Sequence, residues 1–108
     1  MWAQLIRTQV RSDLEAAEVA DRARAVHEHV RAAEQPGSGL LRTLLMQDQA
    51  DPHRVYALVV LESEERARAR EQDPRRAEGL QAARAEMAGL YDGAPDFTDL
   101  TVIAEWED

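Results

Sequence analysis

The sequence contains no cysteine, no lysine and no asparagine. Without cysteine there is no disulfide framework, no thiol nucleophile and no zinc–thiolate centre. Without lysine there is no Schiff-base chemistry, and all 13 basic residues are arginine. Without asparagine, any amide side chain at a site must come from glutamine. Long apolar runs are missing as well: none approaches the roughly 20 residues that cross a bilayer. The N-terminus, Met1-Trp2-Ala3-Gln4, lacks a basic segment followed by an apolar one, so no secretory leader is expected and a cytoplasmic location is. Positive charge is in deficit too. A net charge of -8 repels polyanions, so neither nucleic acid nor an anionic membrane is expected as a partner.

What is present describes a globular protein. With 44% hydrophobic and 31% charged residues over 108 positions, the chain reads as one domain spanning 1–108. Its turn-forming residues cluster at Pro36-Gly37-Ser38-Gly39, Ala50-Asp51-Pro52, Asp73-Pro74 and Asp92-Gly93-Ala94-Pro95, and these cut the chain into elements of ordinary length. Trp2 to Val10 suits a strand. Ser12-Asp13-Leu14-Glu15 has the form of a capping box. The helix it would open runs to about Ala33, with Val19, Ala23, Val26 and Val30 on one stripe. Leu40–Met46 and Arg54–Leu61 read as two strands joined at Asp51-Pro52. Ser63 suits the cap of a second helical region, which restarts at Asp73-Pro74, an N-cap with proline in the first turn. Ala77, Leu80, Met87 and Leu90 carry its apolar stripe, and Gly93 ends it. Phe97 to Trp106 reads as the last strand.

This βαββαβ order predicts an α+β, ferredoxin-like domain: a four-stranded antiparallel sheet with helices on one face. A sheet wet on one side alternates apolar and polar residues. Val55-Tyr56-Ala57-Leu58-Val59-Val60-Leu61 does not alternate, and Leu40-Leu41-Arg42-Thr43-Leu44-Leu45-Met46 has leucine on both parities. Both faces therefore call for cover. A homodimer packed sheet face to sheet face supplies it, since a bare apolar face exceeds what monomers usually expose.

The join Leu58-Val59-Val60-Leu61-Glu62-Ser63-Glu64-Glu65-Arg66-Ala67, the following Gln72-Asp73-Pro74 and the closing Phe97-Thr98-Asp99-Leu100-Thr101-Val102 resemble the antibiotic biosynthesis monooxygenase family, within the dimeric α+β barrel superfamily. The resemblance spans essentially the whole chain. It implies a homodimer with a small-molecule cavity between each sheet and its helices. Some members are oxygenases that use no cofactor and act on polycyclic aromatic substrates; others degrade haem. Both kinds rely on an asparagine-type residue in the sheet and a tryptophan on the second helical region, and the haem degraders add a histidine there. This sequence has no asparagine, has tryptophan only at Trp2 and Trp106, and has no histidine between Leu58 and Leu90. Haem is therefore not expected, nor any other cofactor or metal.

Six residues are candidates for lining a cavity or holding a ligand. Arg84, near the apolar stripe, suits a carboxylate, phenolate or enolate. In the competing arrangement Ala83 takes the core position and Arg84 reaches water from the stripe's edge. Met87 shares that stripe. Tyr56, in the apolar strand, and Tyr91 each need a partner for the hydroxyl, as a cavity donor or as a satisfied core tyrosine. Gln4 is the amide nearest to the missing asparagine. Arg42 pairs across a dimer, lines the cavity or sits at an edge. His27 and His29, two apart on a helix, share no face and are expected to be solvated. His53 falls in a turn without an evident partner. Two functions follow. One is a cofactor-independent monooxygenase acting on a small aromatic or polyketide-like molecule. The other is a non-catalytic, dimeric small-molecule binder or structural protein of the same fold.

Overall fold

The computed structural model describes residues 1–108. Its strands are β1 (Trp2–Gln9), β2 (Leu40–Gln47), β3 (Arg54–Leu61) and β4 (Asp96–Thr101); its helices are α1 (Ala16–Ala32), α2 (Glu64–Glu71), α3 (Pro74–Gly79) and α4 (Gln81–Leu90). The sheet order is β2-β3-β1-β4, and every neighbouring pair is antiparallel. This is the ferredoxin-like α+β arrangement expected from the sequence.

Three boundaries differ from the sequence reading, each for a physical reason. The capping box at Ser12 does not form. The chain is still held by its sheet-end bonds at Val10 and Arg11, whose amides donate to His53 and Leu90 carbonyls. Leu14 then packs on the core, and α1 starts at Ala16 with Glu15 as a cap that makes no side-chain bond. The last strand stops at Thr101, opposite Trp2, the first residue of β1. The segment beyond leaves the sheet, with Ile103 95% and Trp106 83% exposed. The second helical region is three helices. Its restart at Pro74 is as expected, with Asp73 accepting from the Arg75 amide at 2.9 Å, but Leu80 adds a break between α3 and α4.

Strand alternation assigns the two faces. Trp2, Gln4, Ile6 and Thr8 of β1 lie beside Leu61, Val59, Ala57 and Val55 of β3, and this row faces the helices. The apolar core beneath the helices is in two parts. One joins Val10, Val19, Ala23, Val26, Val55 and Leu90 under α1 and α4. The other joins Trp2, Val59, Leu61 and Ala67 under α2. The two parts sit at opposite ends of β1, and the middle of the strand lies between them. The opposite face carries Leu5, Leu58, Val60, Leu44, Met46 and Leu100. No helix covers it, and Leu44, Met46 and Leu100 are each about 40% exposed. No helix is long and apolar enough to cross a membrane.

Candidate functional site

The gap between the two core clusters is a cavity of about 1140 Å³. Its floor is the sheet: Gln4, Ile6 and Thr8 of β1, Val59 of β3, Thr43 and Leu45 of β2, and Phe97 of β4. Its roof comes from α1, with His27, Val30 and Arg31, and from α3 and α4, with Arg76, Leu80, Arg84, Met87 and Ala88. Tyr91 closes one end. The cavity exists because β1 puts Gln4, Ile6 and Thr8, rather than three large apolar residues, between its anchored ends. Phe97 lies on its wall yet is 59% exposed, which marks the β4 side as the mouth. A cleft of this size, with a largely apolar floor and a roof rich in charged side chains, is large enough to take a small molecule.

Four of the six sequence candidates line the cavity: Gln4, Arg84, Met87 and Tyr91. Tyr56 and Arg42 do not. The parity of β3 turns Tyr56 to the open face, where its hydroxyl lies 3.5 Å from Asp48. Arg42 shares that face opposite Val60, after a bulge at Leu41. At the Arg84 position both arrangements contribute: Ala83 is fully buried in the core, while Arg84, exposed along its length, borders the cavity.

The polar groups fall into distinct environments. Gln4 donates to Asp99 at 3.0 Å, and Arg68 donates to the other oxygen of Asp99 at 2.9 Å. The Arg68 bond, then the Gln4 bond, hold the Asp99 carboxyl below its usual range, so it is an anion and a poor proton acceptor. Arg68 also lies 5.2 Å above the Trp2 ring, which spends that tryptophan on packing and a cation–π contact. Burial pushes the Tyr91 phenol up, partly offset by the Thr8 hydroxyl, so Tyr91 stays a neutral donor.

His27 was expected to be solvated and is not. It is half-buried against the cavity, and burial lowers its pKa from the ordinary imidazole value. The signal was in the sequence: His27 follows Val26 and precedes Val30 by three, at the edge of the buried stripe. His29 instead pairs with Glu86 at 2.9 Å. His53 also has a partner, the Leu14 carbonyl at 2.7 Å from Nε2.

Arginine gathers at the end of the cavity near α2 and α3. Arg70 grips Glu34 side-on, Nε donating at 2.9 Å and Nη2 at 2.8 Å to its two oxygens. Burial pushes Glu34 up, but the bonds from Arg70 and Ser38 and the charges of Arg70 and Arg76 outweigh it and leave the carboxyl lowered. Arg76 is different. Its Nε is buried with no hydrogen-bond partner, a state that costs about 1–3 kcal/mol for a polar group. Burial, then the neighbouring Arg70 charge, depress its pKa. Sequence reasoning missed Arg76, since nothing in an arginine-rich helix marks one member as buried. Among the side chains there is no cluster of three or more metal-ligating types.

No protein-family model matches the sequence, and none of the curated proteins does. Solved structures do match. SnoaB, a cofactor-independent oxygenase from Streptomyces nogalater, superposes with a TM-score of 0.68 at 16% identity, over 99% of this chain and 97% of that one. A Deinococcus radiodurans structure, provisionally assigned as an antibiotic biosynthesis monooxygenase, gives 0.70 at 15% identity, over 100% and 98%. A Nitrosomonas europaea protein of unknown function gives 0.68 at 17% identity, over 99% and 93%. The chain has their fold. At these identities the likeness is one of architecture, and it agrees with the resemblance read from the sequence.

Proposed function

We propose that this chain binds a small aromatic or polyketide-like molecule in the cavity and oxygenates it without a cofactor. The cavity carries the reading: it sits between two packed cores and brings a neutral imidazole, a phenol and guanidinium groups to one apolar space. The similarity in fold to a protein described as a cofactor-independent oxygenase supports the reaction class. Such a reaction needs a substrate whose carbanion or phenolate is electron-rich. His27, neutral and half-buried, accepts the proton. Arg84 and Tyr91 stabilise the anion, and the apolar walls keep water from it. The anion then reduces molecular oxygen; a methylene becomes a carbonyl, and one oxygen atom leaves as water. Oxygen uptake with anthrone-like and hydroquinone substrates tests this. A positioned base is worth about 10²–10⁴-fold, so His27→Gln is expected to lose at least the lower figure in rate with folding intact.

The second reading is a binder without turnover. It is favoured by one observation: neither tryptophan lines the cavity, since Trp2 is packed beneath Arg68 and Trp106 lies on the exposed C-terminal segment. Ligand binding without oxygen uptake selects this reading. In either case we propose a homodimer, formed through the sheet face that carries Leu44, Leu58 and Leu100. The apolar character of that face, with Leu44, Met46 and Leu100 exposed on it, supports a second copy as the cover.

A further inference from the structure

Five arginines have no carboxylate within salt-bridge distance: Arg22, Arg31, Arg42, Arg76 and Arg84. Three of them, Arg31, Arg76 and Arg84, line the same cavity. The chain has 21 acidic residues for 13 arginines, so a shortage of carboxylates does not explain this. The acidic groups nearest in charge to Arg76 are Glu34 and Glu71. Both are engaged: Glu34 by the Arg70 fork and Glu71 by Arg68 at 3.2 Å. The other charges acting on Arg76 are Arg70 and Arg84, both of its own sign.

Arg70 and Arg76 border the cavity together. Arg70 presents its Nε and Nη2 edge to a carboxylate, the planar side-on match that guanidinium makes best. The Nε atom of Arg76 is buried and unpartnered, and its guanidinium has no carboxylate within salt-bridge distance. A guanidinium that borders a cavity and has no carboxylate of its own is free to pair with an anion that enters.

We propose that the ligand carries a carboxylate, held between the guanidinium groups of Arg76 and Arg84 that line the cavity without carboxylate partners, while its apolar or aromatic body lies over Ile6, Val59 and Met87. This rests on the reading of the cavity as a small-molecule site and names the class of molecule: an aromatic acid rather than a neutral aromatic. The chain thereby selects its ligand by charge as well as shape, despite its own negative net charge, because cavity-lining guanidiniums without carboxylates of their own favour an anion over a neutral isostere.

The test is calorimetric titration of the full chain with 2-naphthoate and with its neutral isostere 2-naphthamide, at pH 7 and fixed salt. Naphthoate is expected to bind at least about tenfold more tightly. Arg84→Met, a change at an exposed helix position, and Arg76→Met are each expected to shrink that preference to within about threefold. Equal binding of the two compounds, or a preference unchanged in Arg76→Met and Arg84→Met, overturns the carboxylate proposal and leaves the small-molecule site standing. Binding of neither compound, with the cavity amides unmoved in NMR spectra, removes the site and the proposal with it. Should Arg76→Met fail to fold, Arg84→Met and the salt dependence of the naphthoate preference decide. A preference that is indifferent to salt and to Arg84→Met contradicts the proposal.

Discussion

At the scale of single residues, the half-buried charges decide most. The Arg70–Glu34 pair is among the least exposed ion pairs, its side chains 11% and 18% exposed. Removing one partner strands the other away from water, so Glu34→Gln is expected to cost about 3 kcal/mol by urea unfolding. Arg70→Met should cost a similar amount, and the double variant less than the sum. His27 gives a pH dependence whose sign is fixed. Its pKa is lowered in the folded protein, so the unfolded chain binds the proton more readily. The stability it contributes is complete above the unfolded imidazole value of about 6.5 and is lost as pH falls toward the folded value. Unfolding midpoints between pH 5 and 8 should therefore fall more steeply for the native chain than for His27→Gln on the acid side. Parallel curves would contradict the placement of His27. The sequence marked Gln4, Arg84, Met87 and Tyr91, which line the cavity, and left open whether Tyr56 and Arg42 face it; both lie on the other face of the sheet. In a strand apolar on both parities, nothing local says which parity faces the helices. Arg76 and His27 escaped notice for a related reason: burial at the edge of a helical stripe depends on what packs opposite.

At the scale of elements, β1, β2, β3 and α2 were legible within a residue or two, because alternation, turn residues and caps agree there. Ser63 caps α2 by accepting from the Arg66 amide at 3.1 Å. Ser63→Ala should cost about 1 kcal/mol, read by chemical unfolding. Ser12 had the same local signal and does not cap, because tertiary contacts of Val10, Arg11 and Leu14 hold its segment as a turn. The α3–α4 break lies where Gly79 meets α1: a Cβ at Gly79 would stand 2.8 Å from Ala33 Cβ. No sequence pattern reports that approach. Gly79→Ala is expected to push α3 off α1 and lower the melting temperature, even though alanine favours an isolated helix. A higher melting temperature would contradict the close packing. The end of β4 was overestimated because apolar residues continue at Val102, Ile103 and Trp106, whereas the pairing with β1 ends at Trp2.

At the scale of the whole molecule, two features organise the account: a core split in two along β1 and a sheet with one bare face. Filling the gap in the core tests the first. Thr8→Leu should stabilise the fold or leave it unchanged, while reducing ligand binding by an order of magnitude or more, as expected when a side chain takes up binding volume. Sedimentation tests the second. A homodimer at micromolar concentration is expected, and Leu44→Arg with Leu100→Arg should leave monomers, since unpaired charges opposed at an apolar seam cost several kcal/mol. A native monomer at that concentration would overturn the dimer and leave the cavity untouched. The apolar third strand announced the bare face in the sequence. The cavity was not announced in the same way, because it arises from small and polar residues at the middle of one strand meeting the gap between two helices.

The proposed site is the space between helices and sheet, and its occupant is a small molecule. Amide chemical-shift mapping during titration with an anthrone-like tricycle tests it most directly. The account predicts saturable shifts at Gln4, Ile6, Thr8, His27, Met87 and Tyr91, with Leu44, Leu58 and Leu100 unmoved. Shifts confined to those three leucines, or none at all, would contradict it.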